Sequence, residues 1–331
     1  MLMGWSCALL AGLLTAGVLL DLLLGETRRW HPLVGFGRLA SLLERLLNRG
    51  RGRFVRGILA WMLAVLPVTA LAVWLCGLGG AAINLCVHVF LLYLCLGLRS
   101  LRDHNQPIAV ALAAGDLDQA RLLTARIVSR DTANADAASL AKASTESLLE
   151  NGNDAVFGTL FWFAVAGGPG AVLFRLANTL DAMWGYRNER YDWFGCCAAR
   201  IDDILNYLPA RLTALSYVVL GKTMADKQRA WHCWRTQAPT WGSPNAGPVM
   251  ASGAGALGLA LGGEAVYDGE IEYRPMLGSG RPAEASDIDR AWRLVAETTV
   301  LWIIWVALAA GLFYLQGLLF QGLLFQRQLY A

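Results

Sequence analysis

Four long apolar runs constrain what this chain can fold into. They cover residues 5–24, 54–78, 81–98 and 298–319, and the first contains a single acid, Asp21, near its end. A helix needs roughly 20 consecutive apolar residues to cross a hydrocarbon core of about 30 Å. Within that core, its backbone groups must hydrogen-bond to one another. We therefore predict an all-α, polytopic integral membrane protein with about four firm transmembrane helices.

The composition agrees with a membrane protein. The chain has 331 residues, of which 56% are hydrophobic and 16% are charged, whereas about 25% of the residues of an average soluble domain are charged. The net charge of +3 gives no indication of nucleic-acid binding. The seven cysteines show no CxxC spacing, so we expect reduced thiols and neither a disulfide framework nor a zinc site.

Arginines predict the orientation. Short loops rich in Lys and Arg stay in the cytoplasm. The loop between the first two runs is therefore expected in the cytoplasm, since it carries Arg28, Arg29, Arg38, Arg45, Arg49, Arg51 and Arg53. This places the N-terminus and the turn at Leu78–Gly80 outside and returns the chain to the cytoplasm at Arg99. The last span then places the C-terminal tail outside.

Residues 99–297 are predicted to form the mainly cytoplasmic-face polar region of one membrane-embedded domain spanning 1–331. Within it, Ala155–Leu176 is apolar but is interrupted by GGPG at Gly167–Gly170, and each half is too short to cross. We expect a re-entrant or interfacial helical hairpin here. Leu205–Leu220 has Arg211 in its middle and is predicted to be a helix that lines a site.

Three further segments have a readable pattern. Gly115–Ser129 and Asp136–Glu150 have an acidic start and apolar residues at helical spacing, which predicts amphipathic helices. Thr236–Arg281 is rich in Pro, Gly, Ser and Asn and is predicted to be loop, with a short strand near Gly269–Arg274.

Polar residues are concentrated in two neighbouring blocks. Asn178–Tyr191 reads NTLDAMWGYRNERY and Ala199–Leu212 reads ARIDDILNYLPARL. Because charge is costly beside hydrocarbon, such blocks indicate a water-filled site or a cytoplasmic face. They favour chemistry on an anionic or carboxylate substrate.

Acids near these blocks have two interpretations. Glu150, Asn151, Asn153 and Asp154 stand where a helix meets the apolar 155–176 segment. They could form a solvated helical face or hold Mg²⁺, which takes one or two carboxylates together with water and phosphates.

The acids of the second block are equally ambiguous. Asp202, Asp203 and Asn206 could belong to a salt-bridged helix or to a metal or amine site.

Cationic residues and loops offer anion sites. Arg187 and Arg190 suit phosphate or carboxylate oxygens, although positive-inside anchoring also accounts for arginines here. Ser243–Gly247 is either a simple turn or a nest of amides for an anion. GAGALG at Gly253–Gly258 follows no predicted strand, so small residues for helix packing are favoured over a dinucleotide site.

Together these motifs resemble the adenosylcobinamide-phosphate synthase family of cobalamin biosynthesis (CbiB/CobD). They occur in order over most of the chain, from about residue 18 to about residue 295. The matching blocks are Asp21–Leu39, Arg126–Thr132, Glu146–Trp162, Asn178–Tyr191, Phe194–Leu215, Ser243–Pro248, Gly255–Gly263 and Arg274–Gly278.

The resemblance implies a carbon–nitrogen ligase. It would join the propionate carboxyl group of adenosylcobyric acid to aminopropanol or aminopropanol phosphate, giving adenosylcobinamide or its phosphate. ATP and Mg²⁺ are the implied cofactors, since activation of a carboxylate as an acyl phosphate needs cations to offset phosphate charge. The implied location is the bacterial cytoplasmic (inner) membrane, multi-pass, with the N-terminus outside and the site facing the cytoplasm.

The expected partners are the corrinoid and amine substrates and the lipid bilayer, with no nucleic acid. A homo-oligomer and other membrane enzymes of the corrinoid pathway are both open as protein partners.

The resemblance also assigns site residues. Asp202, Asp203 and Glu150 are the candidate metal ligands. The catalytic candidates are Glu150, Asp154, Asp181, Asp202 and Asp203, and the substrate-binding candidates are Asn151, Asn178, Arg187, Arg190, Tyr191, Asn206, Arg211, Ser243 and Asn245.

Three positions depart from the family pattern. Gly25-Glu26-Thr27 replaces GDP, Thr159 replaces a proline, and Trp241 replaces a histidine that often precedes SPNAG, which excludes catalysis by a histidine there.

Two rival functions remain. A non-enzymatic AmpE-like membrane sensor predicts loss of the SPNAG and RIDD blocks, and a small-molecule transporter predicts paired broken helices.

Overall fold

A computed structural model describes residues 4–26, 31–267 and 269–329 of the chain, with side chains as far as residue 312. The described part is mainly helical. In chain order, its elements are α1 (Cys7–Leu24), α2 (Pro32–Leu47), α3 (Arg53–Cys76), α4 (Ala81–Cys95), α5 (Leu98–Ala113), α6 (Leu117–Thr124), α7 (Ala137–Gly152), a π-helical turn (Asn153–Phe157), α8 (Gly158–Trp184), α9 (Cys196–Val219), α10 (Met224–Gln237), a 3₁₀ turn (Ala238–Thr240), α11 (Ala246–Leu257), β1 (Leu259–Tyr267), β2 (Glu270–Gly278), β3 (Arg281–Pro282) and α12 (Ala285–Leu329).

Five segments of the described chain are long and apolar enough to cross a membrane. Four of them overlap the predicted spans, and the fifth contains the predicted hairpin. Their bounds are Cys7–Leu24, Arg53–Cys76, Ala81–Ala113, Ala137–Trp184 and Ala285–Leu312. The all-α membrane fold is therefore confirmed. The predicted C-terminal tail ends outside the described residues.

The predicted hairpin is present in α8. The backbone leaves helical geometry at Ala166 (φ −135°) and Gly167 (φ +66°), and a Cβ added to Gly158 would lie 2.1 Å from the Phe174 ring. In a straight helix these two residues would be about 24 Å apart. The chain therefore turns back at Gly167, and residues 158–165 and 168–184 pack side by side.

The hairpin tip is held by a histidine of α4. His88 is buried, and its Nδ1 accepts a hydrogen bond from the backbone N–H of Gly168 at 2.8 Å. Trp5 packs edge-on against the same ring, with centroids 4.7 Å apart. This hydrogen bond satisfies a backbone donor at the break, where the helix itself offers no acceptor.

A helix is present in each of the two segments predicted to be amphipathic, but α6 ends at Thr124, and α7 has no exposed residue from Leu140 to Gly152, so it is not amphipathic over that part. Asp116 accepts a hydrogen bond from the backbone N–H of Gln119 at the start of α6, and Asp136 accepts one from Ser139 at the start of α7. Each is an N-cap, which satisfies a donor that has no partner within the helix. The predicted site-lining helix is the second half of α9.

The prediction of loop over Thr236–Arg281 is wrong for most of that segment. The small-residue composition of Ala246–Leu257 conceals α11, whose residues are all buried and whose small side chains allow close packing against α9 and α10. The predicted strand near Gly269–Arg274 is confirmed and is part of the longer β2. β2 pairs antiparallel with β1, β1 pairs in parallel with β3, and the order is β2-β1-β3.

The arginine-rich loop contains a helix that the sequence did not predict. α2 begins after His31, whose Nδ1 accepts the backbone N–H of Leu33 at 3.2 Å. Phe36 and Ala40 are buried, whereas Val34 and Leu46 are exposed. Arg28 and Arg29 lie outside the described residues.

The core centres on the hairpin. α8 packs against α3, α4 and α9, and its buried side chains include Phe163, Phe174 and Trp184. α12 packs against α1, α5 and α7. The hairpin's open end, where its two arms meet α9, is the position of the candidate site.

Candidate active site

The site begins at an irregular turn between α7 and the hairpin. Residues Asn153–Phe157 form a π-helical turn, a local distortion that occurs frequently at functional sites. It carries Asp154, and Glu150 lies one turn earlier on α7. The return arm of the hairpin brings Asp181 to the same place, and α9 contributes Asp202.

These carboxylates line one small cavity of about 160 Å³. All five acids predicted to be catalytic are in its wall, with three of the predicted substrate-binding residues. The polar lining is Glu150, Asn153, Asp154, Asp181, Asp202, Asp203, Asn206, Ser243 and Asn245.

Asparagine amides orient the carboxylates. Asp202 accepts hydrogen bonds from Asn206 Nδ2 at 3.1 Å and from Asn178 Nδ2 at 3.3 Å. Asn153 Nδ2 donates to Asp154 Oδ1 at 3.0 Å and to Asn206 Oδ1 at 2.8 Å. This network joins α9 to the π-helical turn and to the return arm of the hairpin, so the fold itself fixes the positions of the acids.

Burial disfavours ionisation of both acids on α9, and repulsion from neighbouring acids adds to this effect at Asp202. The pKa of Asp202 is raised well above its usual value, first by burial and then by the negative charges of Asp154 and Asp181. Burial also raises the pKa of Asp203, against the opposing effect of nearby arginines. A bound cation would relieve both effects, because it favours the charged carboxylates.

The loop after the 3₁₀ turn closes the cavity. Asn245 Nδ2 donates to the backbone carbonyl of Asp203 at 2.9 Å, and Asn245 Oδ1 accepts from Arg211 Nη1 at 2.6 Å. Ser243 Oγ accepts the backbone N–H groups of Asn245 (3.3 Å) and Ala246 (3.1 Å). Two amides of the predicted anion nest are therefore already bonded within the loop.

A buried ion cluster fixes α7 against the sheet. Glu146, one turn before Glu150, accepts hydrogen bonds from Arg130, from Arg274 at 3.2 and 3.3 Å, and from the backbone N–H of Gly262 at 2.7 Å. Two guanidinium groups around one carboxylate hold the sheet on the helix that carries the cavity acids.

Comparison with known proteins identifies the family. The family model described as CobD/Cbib protein matches residues 14–295. The chain is 57% identical over 299 residues to "Cobalamin biosynthesis protein CobD" of Stutzerimonas stutzeri, covering 90% of this chain and 96% of that protein. A protein with the same name from Chromobacterium violaceum is 54% identical over 307 residues, covering 90% and 96%.

The chain belongs to the CobD/CbiB family of cobalamin biosynthesis proteins. A more distant member, from Mycobacterium tuberculosis, is 39% identical over 276 residues, which are 83% of this chain and 88% of that protein. No solved structure matches the chain. The resemblance inferred from the motifs is confirmed.

Two of the predicted substrate-binding residues, Asn178 and Arg211, lie beside the cavity and form hydrogen bonds with residues of its wall. Asn178 donates to Asp202, and Arg211 donates to Asn245. Arg211 also stacks on Tyr207, with its guanidinium carbon 3.6 Å from the ring centroid. Both positions suit the predicted roles.

Four predicted residues are placed elsewhere. Arg190 binds Glu44 of α2 through two hydrogen bonds of 3.1 and 2.8 Å, and with Tyr191 it lines a separate cavity of about 420 Å³. Arg187 is exposed in the loop before α9. Asn151 Nδ2 donates to Ser147 Oγ at 3.0 Å, so its amide is bonded within α7.

Two residues near the cavity were not predicted for this role. Thr213 Oγ1 donates to Asn153 Oδ1 at 3.0 Å. Arg175 lies one turn from Asn178, and its Nε is buried with no hydrogen-bond partner in the described part of the chain. Its sequence signal was available, since Arg175 is the one charged residue of the 155–176 run and such residues mark functional positions in membrane helices.

The cavity suits Mg²⁺ better than metals that take all of their ligands from protein side chains. No group of three or more His, Cys, Asp or Glu side chains among the described residues between 4 and 312 has the arrangement to hold a metal ion by itself. The donors are carboxylate and amide oxygens, and Mg²⁺ commonly takes one or two carboxylates and completes its coordination with water and phosphate. The residues therefore fit an ion that arrives with a phosphate ligand.

Proposed function

We propose that this CobD/CbiB-family protein is a carbon–nitrogen ligase. It joins the propionate carboxyl group of adenosylcobyric acid to the amino group of aminopropanol or aminopropanol phosphate, with ATP as the phosphoryl donor and Mg²⁺ as the cation. The products are adenosylcobinamide or its phosphate, ADP and inorganic phosphate.

The convergence of Glu150, Asp154, Asp181, Asp202 and Asp203 on one cavity carries this proposal. Buried carboxylates in mutual repulsion bind cations, because a cation restores their ionised form. The two cations of the reaction are Mg²⁺ and the ammonium group of the amine. One or two of the three predicted metal ligands, Asp202, Asp203 and Glu150, would hold the ion together with water and phosphate oxygens, and the ion would neutralise phosphate charge during carboxyl activation.

The remaining acids serve the amine. In the first step, a carboxylate oxygen of the corrinoid attacks the γ-phosphorus of ATP, and ADP leaves. In the second, the amine nitrogen attacks the acyl carbon and phosphate leaves. The amine must first lose a proton, and a carboxylate within hydrogen-bond reach of the nitrogen is a suitable acceptor. Asp181 and Asp154 are the proposed proton acceptors.

We also propose that the cavity faces the cytoplasm of a bacterial inner-membrane protein. The backbone N–H of Arg99 donates to Asp21 at 2.8 Å, and that of Gly97 donates to the carbonyl of Ala155 at 3.1 Å. The end of α1, the start of α5 and the open end of the hairpin are therefore at one level. The arginine-rich loop follows α1 at this level, which supports the cytoplasmic side.

Product analysis tests the proposed reaction. Purified protein in detergent or liposomes is given adenosylcobyric acid, Mg²⁺, ATP and either aminopropanol or its phosphate, and the amide is measured by mass spectrometry. We expect ATP-dependent amide formation. Folded protein that forms no amide from either amine would contradict the ligase and favour the sensor or transporter.

A further inference from the structure

A second cavity lies against the loop that closes the carboxylate site. We call it the tryptophan groove and define it by Arg211, Trp234, Arg235, Trp241 and Pro244. Its volume of about 510 Å³ is within the range of small-molecule sites, roughly 300–1,000 Å³. α10 and the loop that follows it form most of the groove, and neither belongs to a segment able to span a membrane. A highly charged ligand could therefore reach it from water.

The two indole rings of the groove are held in place by neighbours. Trp241 lies under the guanidinium of Arg274, 5.5 Å from the ring centroid, and Arg274 is fixed by Glu146. Trp234 packs edge-on against Trp231, with centroids 5.2 Å apart. Rings that are already ordered lose little freedom when a flat ligand stacks on them.

Two guanidinium groups are available for an anion. Arg235 is exposed, and its one cation–π neighbour among the described residues is Trp231, at 5.9 Å. Arg211 stacks on Tyr207 and donates to Asn245. Guanidinium forks match the geometry of phosphate oxygens.

Arg211 connects the groove to the carboxylate cavity. It lines the groove, while its hydrogen-bond partner Asn245 lines the cavity. Ser243 and Asn245 face the cavity, and Trp241 and Pro244, from the same loop, face the groove. A ligand with a flat ring at one end and a chain of phosphates at the other could occupy both spaces.

We propose that the tryptophan groove binds the nucleoside triphosphate, with the base stacked on Trp234 and Trp241 and the phosphates held by Arg235 and Arg211. The terminal phosphate then points toward the carboxylate cavity. This inference rests on the proposed ATP-dependent function. It supplies a nucleotide site in a chain that has no phosphate-binding glycine-loop motif.

Photolabelling and binding measurements on the full-length protein test the site. 8-Azido-ATP is photolysed with the detergent-purified protein and the labelled peptides are mapped. We expect the label within residues 224–248 and protection by ATP. A label confined to another part of the chain would overturn the proposal.

Equilibrium binding titrations distinguish the residues that bind the base from those that bind the phosphates. Trp234→Leu and Trp241→Leu should each weaken binding of a non-hydrolysable ATP analogue about tenfold or more, because stacking contributes strongly to base binding. They should leave inorganic tripolyphosphate binding unchanged. Arg235→Gln should weaken both ligands. The exposed Trp193→Leu and Arg102→Gln serve as controls and should bind as wild type.

Three further outcomes are decisive. If the tryptophan variants weaken adenosylcobyric acid and not the nucleotide, the groove is a corrinoid site and the proposal is wrong. Wild-type protein that makes the amide but binds nucleotide elsewhere would reject the groove and keep the ligase. Nucleotide binding in the groove without any amide product would keep the groove and reject the ligase.

Discussion

At the scale of single residues, Asp202 is the cavity acid that connects two of the site's asparagine side chains. It is buried, it accepts hydrogen bonds from Asn178 and Asn206, and it shares a cavity with Asp154 and Asp181. Its environment opposes ionisation in the absence of a cation. A bound cation would stabilise the ionised carboxylate, which is the physical basis for proposing Asp202 as a ligand of Mg²⁺.

Asp202→Asn tests this assignment with almost no change of volume. We expect amide formation to fall by about a hundredfold or more, as when a charge-stabilising group is removed from an active site. Asp192→Asn is the matched control in the exposed loop before α9 and should retain activity. Full activity of the Asp202 variant, measured by the same mass-spectrometric assay, would refute the metal role.

The raised pKa of Asp202 predicts how pH affects the metal. Protons compete with Mg²⁺ for a carboxylate, so the carboxylate becomes available only as pH rises through its raised pKa. The Mg²⁺ concentration for half-maximal activity should therefore fall as the pH rises, and it should do so at higher pH than the ionisation of an ordinary aspartate would require. Asp202→Asn should flatten this dependence. A wild-type value independent of pH would contradict the prediction.

At the scale of elements, the hairpin of α8 decides where the site forms. Its two arms approach closely because glycine stands where they touch. A Cβ at Gly158 would lie 2.1 Å from the Phe174 ring, and one at Gly170 would lie 2.3 Å from the carbonyl oxygen of Trp162. The return arm can then bring Asn178 and Asp181 beside Asp154.

Gly158→Ala should separate the arms. We expect a loss of about 1–3 kcal/mol, typical of overpacking in a filled core, and a lower thermal unfolding midpoint in detergent. Gly12→Ala is the control in α1, where an added Cβ meets nothing within 4 Å. A Gly158 variant as stable as the Gly12 variant would mean that the arms are not tightly packed.

The attachment of the sheet to α7 depends on the ion cluster around Glu146. Glu146→Gln would leave Arg130 and Arg274 with a neutral partner inside the protein. Breaking a buried ion pair by removing one partner costs about 3–5 kcal/mol, which thermal unfolding would detect. Glu272→Gln, on the exposed part of β2, should change stability by less than about 0.5 kcal/mol. Equal stability of the two variants would show that the cluster does not fasten the sheet.

At the scale of the whole molecule, the apolar helices and the arginine-rich loop together imply one orientation. The loop around Gly50 and the turn at Gly115 should lie on the same side of the membrane, and the turn at Gly79 on the other. The cavity should share the side of Gly50 and Gly115.

Reporter insertions test this orientation. A protein active only in the cytoplasm, inserted after Gly50 or Gly115, should be active, and inserted after Gly79 it should be inactive. A second reporter that is active only outside the cytoplasm should give the reverse pattern. The reverse result with both reporters would place the cavity outside.

The sequence by itself determined the membrane class, the positions of the spans, the hairpin and the family. Apolar length and a Gly-Pro interruption are local properties that act on the backbone directly. It also marked all five cavity acids, because charges beside apolar runs are costly and therefore informative. Local composition failed at α11, where glycine and alanine serve close packing and resemble a loop.

Only the tertiary structure decided which polar residues belong together. Arg190 and Arg211 look alike in the sequence, yet Arg190 binds Glu44 of α2 while Arg211 reaches Asn245 at the cavity. Glu146 and Glu150 lie one turn apart on α7, yet the first fastens the sheet and the second lines the cavity. Partners that are far apart along the chain supply the charge and hydrogen bonds at each position, so spacing within one helix does not determine the role of its residues.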